Sequence, residues 1–190
     1  MKNKIFVGEF IGSALLVMAI VGSGIMAESL TNDTAVILLA NAVATGAALY
    51  FLIVSISDIS GAHFNPFVTL AMYLSKKIKS QLLPVYFTAQ ILGCLTGVML
   101  ANFFFDYSLI ELSSKSRSGI NVFVSEIIAT FGLIFIIFRT IKGGKVLVAT
   151  SVATFITAGY WFTSSTSCLL YTSDAADEGL GVDLGGRRII

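Results

Sequence analysis

The stretch Ser60-Gly61-Ala62-His63-Phe64-Asn65-Pro66 separates a long apolar block from a short one. The long block covers residues 35–57, and the short one, Pro66–Leu74, is followed by lysines. A membrane-spanning helix needs about 20 apolar residues, so the short block cannot cross a bilayer. Polar loops are tolerated at membrane depth only where they are buried in protein or line a cavity. We therefore predict a re-entrant half-helix over residues 66–75.

Long apolar blocks recur along the 190 residues, of which 56% are hydrophobic and 12% are charged. Soluble domains carry about 25% charged residues, which excludes a water-facing surface built from this composition. Five blocks have spanning length: residues 5–26, 35–57, 82–105, 122–138 and 146–162. The predicted fold is an all-α membrane protein with five spanning helices and one re-entrant half-helix.

Several functional classes are unsupported by the sequence. A net charge of +1 gives no sign of nucleic-acid binding, and two cysteines do not make a disulfide framework. We identify no nucleophile–base pair and no metal cluster. The chain is therefore not expected to be an enzyme or to hold a cofactor or a metal.

Basic residues predict the orientation of the chain in a membrane. Eight lie on one side, before the first span or between spans two and three or four and five: Lys2, Lys4, Lys76, Lys77, Lys79, Arg139, Lys142 and Lys145. The opposite loops hold only Lys115 and Arg117. Because basic residues favour the cytoplasmic side, we predict a multi-pass protein of the inner or plasma membrane with a cytoplasmic amino terminus.

The first and fourth spans resemble each other. Phe6–Ser13 aligns with residues 123–130, which places an intramembrane glutamate at the same point of both, Glu9 and Glu126. Three spans per repeat would insert the second copy upside down, as in inverted-repeat transporters. We predict a first repeat over residues 1–110 and an incomplete second repeat over 118–167. Small residues on the spans, such as Gly93 and Gly97, are expected to allow close helix packing.

The chemistry of the loop suits a pore. Pro66 fits the first position of a helix, and Asn65 fits the cap, with an amide NH₂ that can donate to a passing solute. Gly61, Ala62 and His63 are expected to present carbonyl acceptors. An ordinary Asn-Pro helix start is the alternative for the motif. His63 is either a gate or pH sensor or a loop-packing residue.

The repeated glutamates, the Asn65-Pro66 motif with its flanking residues and Leu92-Gly93 together resemble the aquaporin, or major intrinsic protein, family of the bacterial type. The resemblance implies an aquaporin-like inverted-repeat bundle, a passive channel and a homotetramer in the lipid bilayer. It also implies that Glu9 and Glu126 support the re-entrant loops of their halves. A proton relay through the two carboxylates is the less favoured alternative.

The family's selectivity filter can be placed by register. It falls near Thr45 and Ala158, which are both small, so we expect a wide filter that passes water and small neutral solutes, glycerol-like or metalloid. The family motif Asn-Pro-Ala reads Asn-Pro-Phe here, and Phe67 adds bulk near the pore centre. Whether it narrows the pore or alters packing is left open.

The sequence departs from the family after Ser167. The expected second Asn-Pro-Ala motif, filter arginine and sixth span do not follow, and residues 168–190 carry six charges without an apolar block. We interpret this segment as an artefactual tail outside the family, expected to be disordered, on a carboxy-terminally truncated channel. A secondary transporter with inverted repeats and a non-conducting channel fragment remain as alternatives.

Overall fold

A computed structural model describes residues 2–110 and 119–163. Over these residues the chain forms six α-helices: α1 (Lys2–Leu30), α2 (Thr34–Ser60), α3 (Pro66–Leu74), α4 (Leu83–Phe104), α5 (Ile120–Thr140) and α6 (Lys145–Phe162). Short 3₁₀ turns at Ser80–Leu82 and Ile141–Gly143 precede α4 and α6. All but α3 are long and apolar enough to cross a membrane. The predicted fold class, a five-span helical membrane protein with one short half-helix, is confirmed.

Local chemistry explains where α2 begins and ends. The Asp33 carboxylate accepts hydrogen bonds from the backbone nitrogens of Ala35 and Val36, at 2.9 and 3.3 Å, and so caps the first turn. Gly61 ends the helix with φ of 94°, a left-handed conformation that glycine adopts without a Cβ penalty. The chain can therefore turn sharply from α2 into the loop that precedes α3.

Helix α1 packs between α2 and α4, while α2 also packs on α6, and α6 packs on α5. The crossing of α1 and α4 is close because glycines of α4 face the α1 backbone. A Cβ added at Gly93 would lie 2.5 Å from the Phe10 carbonyl oxygen, and one at Gly97 would overlap the Ala14 carbonyl oxygen. The predicted role of small residues in helix packing is confirmed at this crossing.

The outward faces of the helices are apolar. On α5 the side chains of Phe123, Phe131 and Phe135 are each more than half exposed. Large aromatic residues exposed in a row along one helix are typical of a surface covered by lipid or by another protein. The chain is a multi-pass membrane protein.

Two predictions concern residues that the structure does not describe. The tail at 168–190 lies outside the described residues, as does the position at which a second half-helix is expected. The division into repeats at 1–110 and 118–167 stays a prediction, with α1–α4 in the first and α5–α6 in the second.

Candidate functional site

The loop between α2 and α3 has an unusual backbone. Gly61, Ala62 and Phe64 all have positive φ values, of 94°, 51° and 49°. For residues with a Cβ such a conformation costs of order 1 kcal/mol or more and persists only where the surroundings hold it. The contacts that hold this loop come from α1 and α4.

Glu9 of α1 is fully buried and binds the loop through both carboxylate oxygens. Its Oε1 accepts from Ser60 Oγ at 2.6 Å and from the His63 backbone nitrogen at 3.0 Å. Its Oε2 accepts from the Phe64 backbone nitrogen and from Gln90 Nε2, both at 2.8 Å. All four partners are donors, as an ionised carboxylate requires. One side chain thereby satisfies two backbone donors that would otherwise be buried without partners.

A second layer of polar contacts joins the loop to α3 and α4. The Thr69 hydroxyl donates to the Asn65 carbonyl oxygen at 3.1 Å, so it accepts from Gln90 Nε2 and faces His63 Nδ1, both at 3.0 Å. This assigns the His63 proton to Nδ1. The His63 ring also stacks on Tyr86 at 4.5 Å between centroids, and the Tyr86 hydroxyl donates to the Ser60 carbonyl. These contacts favour the loop-packing interpretation of His63.

Asn65 begins α3. Its Oδ1 accepts from the backbone nitrogens of Phe67 and Val68, at 2.8 and 3.2 Å. Pro66 stands at the start of the helix, where it has no N–H to leave unsatisfied. The amino terminus of a helix carries a positive partial charge, which is therefore fixed at Asn65.

A cavity of about 290 Å³ opens beside this loop. One side is polar and consists of the end of α2 and the loop, from Ser57 and Asp58 to Asn65. The other side is apolar and comes from five helices: Leu16, Leu49, Ile53, Val68, Met72, Leu133, Ile137, Val148, Val152 and Ile156. A solute in this cavity can form hydrogen bonds only with the polar residues of the lining. It can therefore exchange one hydrogen-bond partner for the next as it moves.

The polar side of the cavity contains a buried hydroxyl and an ion pair. Ser57 Oγ is buried and has no hydrogen-bond partner among the described residues. Farther out, Lys145 Nζ donates to Asp58 Oδ2 in an ion pair that joins the end of α2 to the start of α6. Because a buried hydroxyl usually finds a partner and Ser57 lines the cavity, we expect rotation of its side chain to bring this oxygen to a molecule inside.

The structure brings four predicted pore residues together. Gly61, Ala62, His63 and Asn65 all line the cavity. Pro66 borders a smaller space of about 140 Å³ beside Gln90 on α4.

The other predicted residues lie elsewhere. Phe67 is 42% exposed. Thr45 is fully buried, and its hydroxyl lies 3.1 Å from the Tyr160 hydroxyl of α6. Ala158 is exposed on α6. Glu126 is half-buried on α5, and the loop expected to contact it lies outside the described residues.

Sequence reasoning missed the far wall and the mouth of the cavity. Lys145, Val148, Val152 and Ile156 recur at helical spacing on one face of α6, a pattern that was visible in the sequence. It does not distinguish a cavity wall from a packed core, however. Ser57 and Asp58 lie eight and seven residues before Asn65 and carried no motif signal.

Comparison with known proteins decides the family. The family model described as major intrinsic protein matches residues 2–172. The chain belongs to the major intrinsic protein family. One similar protein is "Aquaglyceroporin AqpS" of Rhizobium meliloti (strain 1021), which is 44% identical over 85% of this chain. Another is "Probable aquaporin TIP2-2" of Oryza sativa subsp. japonica, which is 34% identical over 75% of this chain.

The fold of this major intrinsic protein is also that of a solved relative. The X-ray structure of the aquaglyceroporin from Plasmodium falciparum superposes with a TM-score of 0.80, covering 93% of this chain and 80% of that one at 20% sequence identity. The matched part of this chain spans 69% of the length of the Rhizobium protein and 58% of the rice protein.

Proposed function

We propose that this protein is a passive transmembrane channel for water and small neutral solutes of the glycerol or metalloid type, and not an enzyme. The observation that carries the proposal is the cavity, which is lined by Ser57 and the loop residues from Gly61 to Asn65 and by apolar side chains of five helices. Relatives named as an aquaglyceroporin and a probable aquaporin support the same activity.

The polar side of the cavity replaces the hydration of a solute in steps. A water molecule or a polyol hydroxyl donates to the carbonyls of the loop and accepts from the Asn65 amide nitrogen, while the apolar wall prevents tight binding. The positive partial charge at the start of α3 raises the energy of a cation at that point. Neutral solutes are therefore favoured over ions on this side of the pore.

The left-handed conformation of the loop orients its carbonyl groups. Glu9 holds the backbone nitrogens of His63 and Phe64 on the α1 side, and both residues also line the cavity. Because each peptide directs its N–H and C=O in opposite directions, fixing these nitrogens toward Glu9 turns the carbonyls of Ala62 and His63 away from it, and we propose that they face the cavity. The role proposed for Glu9 is thus to position the loop, and Glu126 is proposed to serve the second half in the same way.

The predicted width of the filter remains part of this proposal. Thr45 and Ala158 are both small, which suits solutes larger than water. Phe67 is proposed to narrow the pore where the half-helix begins. Comparing glycerol with water permeability in the Phe67→Ala variant tests this, since a wider pore raises the glycerol rate more than the water rate.

Orientation and assembly are proposed from the sequence. The eight basic residues favour a cytoplasmic amino terminus, which places Lys145 and the Asp58 end of the cavity on the cytoplasmic side. A homotetramer in the lipid bilayer is proposed from family membership. Cysteine accessibility at Lys2 and cross-linking in membranes test the two points.

Stopped-flow light scattering of vesicles containing the full chain tests the function. We expect water permeability above that of empty vesicles, glycerol uptake without a proton or sodium gradient, and no ion conductance. Uptake that requires an ion gradient would indicate a secondary transporter. Membrane insertion with permeability equal to that of empty vesicles would indicate a non-conducting fragment and refute the proposal for this chain.

A further inference from the structure

The ion pair between Asp58 and Lys145 lies at the open end of the cavity. Both residues line it, and they come from α2 and α6, two of the helices that enclose it. Their side chains are 72% and 42% exposed, which places the pair in contact with water at the mouth and not in the interior. Ser57, the adjacent residue, has its hydroxyl buried in the wall just inside.

Neither charge is favoured by its own helix. Lys145 is the first residue of α6, where the helix dipole is positive, and Asp58 is in the last turn of α2, where the dipole is negative. Each residue therefore opposes the dipole of its helix, and the contact between the two offsets both penalties. Because neither residue stabilises its own helix, the ion pair points to a role at the mouth of the cavity, where the two helix ends meet.

There is open space around the residue that precedes Lys145. Gly143 and Gly144 precede Lys145, and Gly144 has φ of 89° with no heavy atom within 4 Å of a Cβ built there. The long Lys145 side chain, which is 42% exposed, can thus leave Asp58 by a change of rotamer without displacing packed side chains. The stiff part of α6, from Val148 onward, need not change.

We propose that the Asp58–Lys145 pair is a bar across the mouth of the cavity and limits how fast solutes enter from that end. The proposal rests on the channel function proposed above. Because the pair is exposed, its strength is modest and salt-dependent, so the mouth opens and closes readily. Solute access is then expected to rise with ionic strength.

The test measures access to the cavity directly. A cysteine is placed at Val152, which lines the cavity and is 5% exposed, in a Cys94→Ala, Cys168→Ala background. Its reaction rate with neutral 2-hydroxyethyl methanethiosulfonate is compared for the intact pair, for Asp58→Asn with Lys145→Gln, and for the charge-exchanged pair Asp58→Lys with Lys145→Asp.

We expect the uncharged pair to react up to about fivefold faster, the range that an exposed ion pair supports. In the charge-exchanged variant the labelling rate should fall back toward that of the intact pair. Added salt should increase the labelling rate of the cysteine at position 152 in the protein with the intact pair. It should leave the labelling rate unchanged in the protein with the uncharged pair. A cysteine at Trp161, exposed at the far end of the same helix, is the control and should react equally in all three. Equal rates at Val152 in all three forms would overturn the proposal.

Two further readouts separate the possible failures. A cysteine at Val148 gives a second cavity position if the Val152 variant does not fold. If thermal stability falls while labelling is unchanged, the pair only ties α2 to α6 and the proposal is wrong. Absent water permeability in vesicles refutes the channel function, but the labelling rates still decide whether the pair bars the mouth.

Discussion

Glu9 Oε2 lies 2.8 Å from the backbone nitrogen of Phe64, so a carboxylate of the first helix holds a residue 55 positions later in a left-handed conformation. The Phe64 side chain in turn packs over Gly12, one turn along the same helix. Helix α1 therefore contacts the loop twice, through the Glu9 carboxylate and through Gly12, which has no side chain and leaves space for the Phe64 ring. The shape of the polar side of the cavity depends on both contacts.

Replacing Glu9 with glutamine should destabilise the protein by about 3 kcal/mol, the order expected for lost hydrogen bonds to a charged acceptor. The amide keeps one acceptor oxygen, and its NH₂ then faces donors. Thermal unfolding in detergent measures the loss, and water permeability should fall with it. Asp106→Asn, the same chemical change at an exposed residue in a loop with φ of 59°, is the control and should be nearly neutral. An unchanged unfolding temperature for Glu9→Gln would contradict the role of the carboxylate.

Gly12→Ala should displace Phe64, because the added Cβ would overlap its ring. Overpacking of this kind typically costs about 1–3 kcal/mol. Permeability should drop as the loop moves. Gly22→Ala provides a matched control in the same helix, since its Cβ would lie 3.5 Å from the Phe105 ring, an ordinary contact. Equal stability of the two variants would show that Phe64 moves aside freely.

Asn65 has two roles that different substitutions separate. Asn65→Ala removes the cap of α3 and should destabilise the protein by about 1 kcal/mol, while Asn65→Asp keeps the capping oxygen. Both variants lack the amide NH₂, and both should conduct less water in vesicles. If Asn65→Asp conducts like the parent, the amide donor is not part of the pore.

Ser57→Ala should affect stability and conduction in opposite directions. The buried hydroxyl has no partner among the described residues, so its removal should stabilise the protein, by up to about 1 kcal/mol. Removing a hydrogen-bonding step from the cavity should also lower water permeability. Ser55→Ala, on an exposed face of the same helix, should change neither. A destabilised Ser57→Ala protein would mean that the hydroxyl is satisfied by a group other than the solute.

Much of the architecture followed from patterns within the chain. Apolar length located the five spans, and each predicted block lies within or within one residue of its observed helix because a bilayer imposes one length on every span. The half-helix over Pro66–Leu74 was also predictable, since Asn65 and Pro66 form a local start signal that needs no tertiary contact.

The cavity could not be predicted in the same way. Val148 and Val152 on α6 read as ordinary apolar residues, and only the packing of α6 against α2 made them a wall. Register also gave Thr45 and Ala158 as filter residues, which stays a prediction, and the α6 side chain that contacts Thr45 is that of Tyr160. A shift of two residues rotates a helical position by about 200°, so register alone does not establish which side chain faces inward.

The sequence by itself determined that this chain is a helical membrane protein of the major intrinsic protein family with a half-helix opened by Asn65. The spans and the half-helix depend on composition, length and local capping, which are properties of contiguous residues, whereas the family follows from the motif resemblance and from the match of the family model. Tertiary structure alone decided that Ser57 lines the cavity and that Asp58 meets Lys145 at its mouth, and it supplied the hydrogen bonds by which Glu9 holds the loop. Each of these contacts joins groups far apart in sequence or turns a side chain inward, and no local pattern encodes which partner or direction is chosen.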